Sequence, residues 1–194
     1  MKKTILSFAL MTMLATGAVA MAAPLQNPQA GEFKLNLNYG FSQKEAGHDA
    51  HSRFAGGDLT YGVGHNLSLQ YANNMTRSDD SRKIDEHLFS GIYQVSQYIS
   101  AYGGVTYVKT DFPQSDRHAT GYQVGLKGQL PLTDRITGFA SVGVGDDVNS
   151  YEVGMGYAFN NGWDAHLKYR RSSIDVDNYD DSVKGWQVGM GYKF

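Results

Sequence analysis

Apolar and polar residues alternate one by one through most of the chain after residue 32. The first such stretch places Phe33, Leu35, Leu37, Tyr39 and Phe41 at alternate positions, with Lys34, Asn36, Asn38 and Gly40 between them. A period of two is typical of a β-strand with one apolar and one polar face, and no segment shows the helical period. The chain is therefore predicted to be all-β.

The alternation predicts ten strands. Their cores are residues 33–41, 59–63, 67–71, 89–95, 99–107, 122–126, 136–144, 151–159, 163–169 and 186–194. Eight strands is the alternative, because glycine weakens the pattern around residues 136–145. Short links separate some strands, whereas the polar segments 42–52, 76–83, 109–119 and 172–182 are predicted to be longer loops. Links that alternate in length are typical of an up-and-down barrel in the outer membrane.

Composition decides which face of such a barrel points outward. The 194 residues include 13 Tyr, 9 Phe, 2 Trp and 23 Gly. So many rings would not fit inside a ten-stranded bore, whereas on the outside they form a lipid-facing band with an aromatic girdle at each interface. The predicted fold is an antiparallel up-and-down transmembrane β-barrel. A net charge of −2 argues against nucleic-acid binding.

The first 22 residues have the pattern of a secretory signal peptide. Lys2 and Lys3 precede an apolar stretch that ends in small residues suited to cleavage after Ala22. We expect residues 23–31 to be a periplasmic N-terminal segment and residues 32–194 to form the barrel. The chain has no cysteine, so it offers neither a disulfide nor a lipoprotein attachment site.

The last eight residues, 187–194, read polar, any, Gly, any, any, aromatic, any, Phe. The pattern resembles the terminal strand motif of small bacterial outer-membrane β-barrels of the OmpA/OmpX-like, porin-like class, with Gln187, Gly189, Tyr192 and Phe194 at its defining positions. The resemblance implies location in the outer membrane, contact with the lipid bilayer and lipopolysaccharide, and handling by periplasmic chaperones and the barrel assembly machinery. It covers eight residues in motif and fixes no oligomeric state; a monomer is assumed.

Polar residues on the opposite face of the strands are predicted to fill the lumen. If the turn at residues 160–162 pairs Phe159 with Trp163, then Gly156 faces His166, Gly154 faces Lys168, and Glu152 faces Arg170. A charge in a narrow lumen needs a partner, so we expect an interior Glu152–Arg170 ion pair. It would either hold the barrel shut or act as a gate. Further inward candidates without an assignable partner are Asp58, Lys127, Lys184 and Gln187.

The sequence leaves three functions to compare. We expect a structural role in the cell envelope, together with passage of small solutes through a narrow polar lumen. The alternative is a surface adhesion or interaction protein that acts through its extracellular loops. Enzymatic activity is not expected, because no nucleophile with a nearby base can be assembled from the sequence.

No cofactor or metal site is expected. The acidic stretch 175–181 lacks the turn glycine of a calcium loop and has Tyr179 where an oxygen ligand would be needed. The segment with His48, Asp49 and His51 offers too few ligands for a strong metal prediction. Binding of divalent cations by the acidic stretch stays open.

Overall fold

The computed structural model describes residues 28–45, 48–78, 82–111, 116–159, 161–176 and 179–194. The ten strands are β1 Phe33–Glu45, β2 His48–Gly64, β3 Leu67–Ser78, β4 Lys83–Gln94, β5 Ile99–Asp111, β6 Asp116–Pro131, β7 Ile136–Gly145, β8 Val148–Ala158, β9 Trp163–Val176 and β10 Tyr179–Lys193. No helix in these ranges is long and apolar enough to cross a membrane.

The sheet closes on itself. Each strand pairs antiparallel with its neighbours in sequence, and β1 pairs with β10, where Leu37 lies opposite Met190. Closure gives every strand two hydrogen-bonded neighbours, which a sheet needs in hydrocarbon, where water cannot satisfy an open edge. The predicted ten-stranded up-and-down barrel is confirmed.

Left-handed backbone at one end of the barrel sets the tight turns. His65 and Asn66 have φ values of 51° and 63°, which fits the two-residue turn that matches the twist of a hairpin. Asn161 and Gly162, with φ values of 91° and 80°, connect β8 to β9. We call this end, where β1 begins and β10 ends, the terminal end, and the opposite one the distal end.

The outer face carries most of the rings, as predicted, whereas Phe54, Tyr98, Tyr102 and Phe139 are buried. Phe33, Phe159, Trp163, Tyr192 and Phe194 lie towards the terminal end, and Tyr39, Phe41, Tyr71, Tyr107, Tyr151, Tyr169 and Trp186 lie towards the distal end. Neighbouring strands bring some of them into contact, for instance Tyr169 and Trp186 with ring centroids 5.6 Å apart. Outward-facing aliphatic residues between these two groups are exposed as well, so the barrel has a continuous apolar band.

At the distal end the pattern inverts. Along β9, outward Leu167 and Tyr169 give way to Arg171 and Asp175, while the inward positions change from Lys168 and Arg170 to Ile174 and Val176. Polar outside and apolar inside is the arrangement of a strand that faces water. The strands therefore continue past the apolar band into an aqueous surrounding.

The prediction of long loops at 42–52, 76–83, 109–119 and 172–182 is wrong for most of these residues. The ladders run on through them, with Lys109 opposite His118 and Ser172 opposite Val183. Polar residues accumulate there because the outward face meets water, and the inverted alternation resembles loop composition. The inward assignment of Lys184 is also wrong, because even-numbered positions of β10, such as Trp186, face outward.

Candidate functional site: the closed lumen

The pairing between β8 and β9 has the register that was predicted from the turn at residues 160–162. Gly156 lies opposite His166, Gly154 opposite Lys168, and Glu152 opposite Arg170. All three larger side chains on β9 are buried. Glycine on β8 leaves room for Lys168, since a Cβ at Gly154 would lie 2.7 Å from Lys168 Cβ.

Glu152 contacts both cations on β9. Lys168 Nζ donates a hydrogen bond to Glu152 Oε2 at 3.0 Å, and Arg170 Nε lies 3.4 Å from Glu152 Oε1. The side chain of Glu152 is one fifth exposed to the interior space. The expected Glu152–Arg170 contact is thus present at the longer distance, and Lys168 makes the shorter one.

The closest partner of Arg170 is Glu86, which comes from β4 on another side of the barrel. Arg170 Nη2 and Nη1 donate to the two carboxylate oxygens of Glu86 at 2.6 and 3.3 Å. Ser172 Oγ donates a third hydrogen bond to Glu86, at 3.1 Å. A two-pronged guanidinium–carboxylate contact fixes both side chains, so it ties β9 to β4 across the lumen.

A second cluster surrounds Asp58 on β2. Asn36 Nδ2 and Gln70 Nε2 each donate to Asp58 Oδ1 at 2.9 Å. Lys127 Nζ, from β6, donates to Gln70 Oε1 at 2.7 Å. Two inward candidates that had no assignable partner, Asp58 and Lys127, therefore share one hydrogen-bonded chain through Gln70.

The terminal end of the lumen holds a third cluster. Lys34 Nζ lies 2.8 Å from Asp164 Oδ2, and both side chains are buried. His166 Nε2 lies 2.6 Å from Asn38 Oδ1. These contacts join β1 to β9 across the intervening β10.

The three clusters form one polar layer with balanced charge. Its cations are Lys34, Lys127, Lys168 and Arg170, and its anions are Asp58, Glu86, Glu152 and Asp164, so the formal charge of these eight residues is zero. A cavity of about 90 Å³ is lined by six of these side chains, namely Asp58, Glu86, Lys127, Glu152, Lys168 and Arg170. That volume holds a few water molecules.

Above the polar layer, an apolar layer crosses the bore towards the distal end. Six buried side chains from five strands pack together there: Ile84, Val108, Val148, Ile174, Val176 and Val183. The layer follows directly on the polar one, because Ile84 is two residues from Glu86 on β4 and Ile174 is four residues from Arg170 on β9. Ions and polar solutes would have to be dehydrated to pass it.

The sequence did not reveal Glu86 as the partner of Arg170, nor the apolar layer. On β4, residues at even-numbered positions face inward and residues at odd-numbered positions, such as Phe89, face outward. The alternation along the sequence therefore indicated that Glu86 is buried. Its partner depends on how ten strands stagger around the barrel, which no local pattern encodes. The apolar layer was not predicted, because its residues lie in segments whose composition resembles that of loops.

The motif residues of the last strand lie on both faces. Gln187 is buried opposite Lys168, and Gly189 lies against His166. Tyr192 and Phe194 face outward with ring centroids 4.8 Å apart, and the backbone N–H of Phe194 donates to the carbonyl of Phe33 at 2.9 Å.

The described residues contain no group of three or more His, Cys, Asp or Glu suited to a metal ion. The side chains of His48, Asp49 and His51 and those of residues 177–181 lie outside the described part of the chain, and so do residues 1–22. Cation binding by the acidic stretch therefore stays a hypothesis.

The closed strand order, the apolar outer band and the polar interior define a transmembrane β-barrel. The family described as "Outer membrane protein beta-barrel domain" matches residues 7–194, and the chain belongs to it. Its location is accordingly the cell outer membrane.

Several solved structures are similar to the chain. Neisserial surface protein A is 15% identical, with a TM-score of 0.46 over 84% of this chain and 96% of that protein. The attachment invasion locus protein Ail of Yersinia pestis is 16% identical, with a TM-score of 0.39 over 86% and 100%. The translocator domain of autotransporter NalP from Neisseria meningitidis is 14% identical, with a TM-score of 0.48 over 100% and 95%. No curated protein matches the chain.

Proposed function

We propose that this protein is a closed outer-membrane barrel with a structural role in the envelope, and that it does not conduct solutes. The observation that carries the proposal is the double obstruction of the bore. The polar layer links strands across the lumen by ion pairs, and the apolar layer follows it towards the distal end. The proposal includes no enzymatic activity.

Two consequences of the obstruction argue against the small-solute pore. Opening the polar layer would separate Arg170 from Glu86 and leave charges without partners, which costs several kcal/mol for a buried pair. Passage would also require polar solutes to cross a layer of Val and Ile side chains. The two obstacles lie in series, so displacing one side chain opens no path.

Conductance in a planar lipid bilayer tests the proposal. Refolded full-length protein, verified as folded by its heat-dependent gel migration, is expected to give no discrete current steps. A general porin reconstituted in the same way serves as the control for insertion. Regular single-channel steps from the wild-type barrel would refute the closed lumen.

The envelope role needs a measurement in cells. Deletion of the gene is expected to increase sensitivity to detergents and release of periplasmic enzymes, with no change in the uptake of small sugars. Unchanged detergent sensitivity together with slower uptake would favour a transport function over the proposed one.

A further inference from the structure

β1 and β10 are the first and the last strand of the chain, so no turn joins them where they pair. We call this pairing the seam. Its backbone ladder runs without a register shift from Lys34 and Lys193 to Phe41 and Trp186. A turn keeps two strands close together even when the hydrogen bonds between them break, whereas the seam depends on the contacts across it. Opening of the seam would expose unpaired backbone groups and the polar lumen to hydrocarbon.

On its inward face β10 presents Gly189, which lies opposite Asn38 of β1 on one side and His166 of β9 on the other. His166 Nε2 and Asn38 Oδ1 are 2.6 Å apart, and they meet over this glycine. A Cβ at position 189 would lie 2.5 Å from Asn38 Oδ1 and would also overlap His166 Nε2. A larger residue would push the two groups apart, so glycine permits a contact between two strands that are not neighbours.

Gly191 permits a second crossing, two residues closer to the terminal end. It lies opposite Asn36 of β1 and Asp164 of β9. A Cβ there would lie 2.7 Å from both carboxylate oxygens of Asp164 and would overlap Asn36 Oδ1. Asp164 Oδ2 reaches past the glycine to Lys34 Nζ of β1, at 2.8 Å. We call the five side chains that meet over β10 the seam latch, and all of them are buried: Lys34, Asn36, Asn38, Asp164 and His166.

We propose that the seam latch holds the closed barrel shut against lateral opening into the lipid, and that Gly189 of the terminal strand motif is required for it. The latch bonds β1 to β9, so β1 cannot leave β10 unless these side-chain contacts break together with the backbone ladder. Breaking them separates the buried charges of Lys34 and Asp164. The inference concerns the wall of the barrel and is independent of whether the bore conducts.

A role of Gly189 in the latch differs from a role in recognition by the assembly machinery. Recognition acts on the chain before the barrel closes, whereas the latch acts in the closed barrel. The latch therefore predicts an effect of Gly189 in purified, refolded protein.

The test measures the rate of unfolding of the full-length protein in phospholipid vesicles with urea. Gly189→Ala is expected to unfold about tenfold faster than the wild type, the effect of losing one buried hydrogen bond. Asn38→Ala removes the same contact without adding volume, so the double variant should unfold about as fast as Gly189→Ala alone. The control is Gly103→Ala on the outer face, where a Cβ would meet Val124 Cγ1 at 3.6 Å, and it should keep the wild-type rate.

Disulfides locate the effect, because the chain has no cysteine of its own. Leu37→Cys with Met190→Cys links β1 to β10 on the outer face, and Leu59→Cys with Tyr71→Cys links β2 to β3 as the matched control. Residues directly opposite in an antiparallel ladder lie within the Cα separation that a disulfide spans. With the seam linked, Gly189→Ala should unfold at the rate of its linked parent. With β2 linked to β3, it should keep its full acceleration.

Two results would overturn the proposal. The first is equal acceleration by Gly189→Ala in both linked backgrounds, because the glycine would then act elsewhere than at the seam. The second is additive acceleration by Gly189→Ala and Asn38→Ala, because the contact over the glycine would then not explain its effect. If Gly189→Ala does not refold, Asn38→Ala in the two linked backgrounds decides the question by the same comparison.

Discussion

Replacing Glu86 by Gln should destabilise the barrel more than any comparable change of a carboxylate in the lumen. The substitution keeps the shape of the side chain and removes its charge, which leaves Arg170 with Glu152 at 3.4 Å as its remaining anionic contact. Glu86 is 5% exposed and accepts three hydrogen bonds. Sequence alternation points to its burial and not to its partner, so the test addresses what the fold adds.

The magnitude follows from burial and from the contacts that remain. Removing one partner of a buried ion pair costs about 3–5 kcal/mol, and the residual Glu152 contact offsets part of this, so we expect about 3 kcal/mol for Glu86→Gln. Glu152→Gln removes the negative charge that faces Lys168 and Arg170 in a less buried setting and should cost about 1.5 kcal/mol. Asp85→Asn, next to Glu86 on the outer face, is the matched control and should change the free energy of unfolding by less than about 0.5 kcal/mol.

Urea unfolding in phospholipid vesicles measures these differences. Trp163 and Trp186 are the two tryptophans of the chain and both face lipid, so their emission reports transfer to water. The dependence on urea should keep the same slope in all variants. The double variant Glu86→Gln with Arg170→Gln should cost less than the sum of its single changes. Additive single changes, or a larger effect of Glu152→Gln than of Glu86→Gln, would refute the assignment of the principal pair.

Three other substitutions test the packing and the terminal strand. Gly154→Ala should reduce the folded yield on heat-dependent gels, because a Cβ there would lie 2.7 Å from two interior side chains. The control Gly91→Ala has open space around it and should fold normally. Equal yields of the two variants would contradict this. Ile174→Ala should lower the free energy of unfolding measured in urea by about 2–5 kcal/mol. Leu167→Ala, on the lipid-facing side, should lower it less, because lipid fills the space that the side chain leaves. The reverse order would count against an apolar layer. Phe194→Ala should lower the amount of protein that reaches the outer membrane in cells while purified protein still refolds in detergent; a loss of refolding alone would assign Phe194 a structural role.

The sequence was sufficient for the parts of the fold that depend on local pattern. Alternation identified ten strands and their outward face, and the turn at residues 160–162 fixed the register that places Glu152 opposite Arg170. Both rest on interactions between neighbouring residues or across one hairpin.

Two features needed the closed barrel. The Arg170–Glu86 contact joins β9 and β4, which are far apart in the strand order, and their relative height depends on the stagger accumulated around the circumference. The distal strand extensions were missed because apolar Ile174 and Val176 face inward there and Ser173 and Asp175 face outward. Where polar residues face outward and apolar residues face inward, the segment resembles a polar loop in composition. The strand is recognised only when it is followed from the lipid-facing part of the barrel into the part that faces water.

This inversion of phase fixes the immersion depth of the protein. On β9 and β10 the change from Tyr169 and Trp186 to Arg171 and Lys184 takes two residues, which correspond to about 5 Å along the barrel axis. A vertical shift of that size would place cations in hydrocarbon or move the girdle rings into water. The barrel therefore cannot slide to fit a thicker or thinner bilayer, and the surrounding lipid has to stretch or compress to meet it.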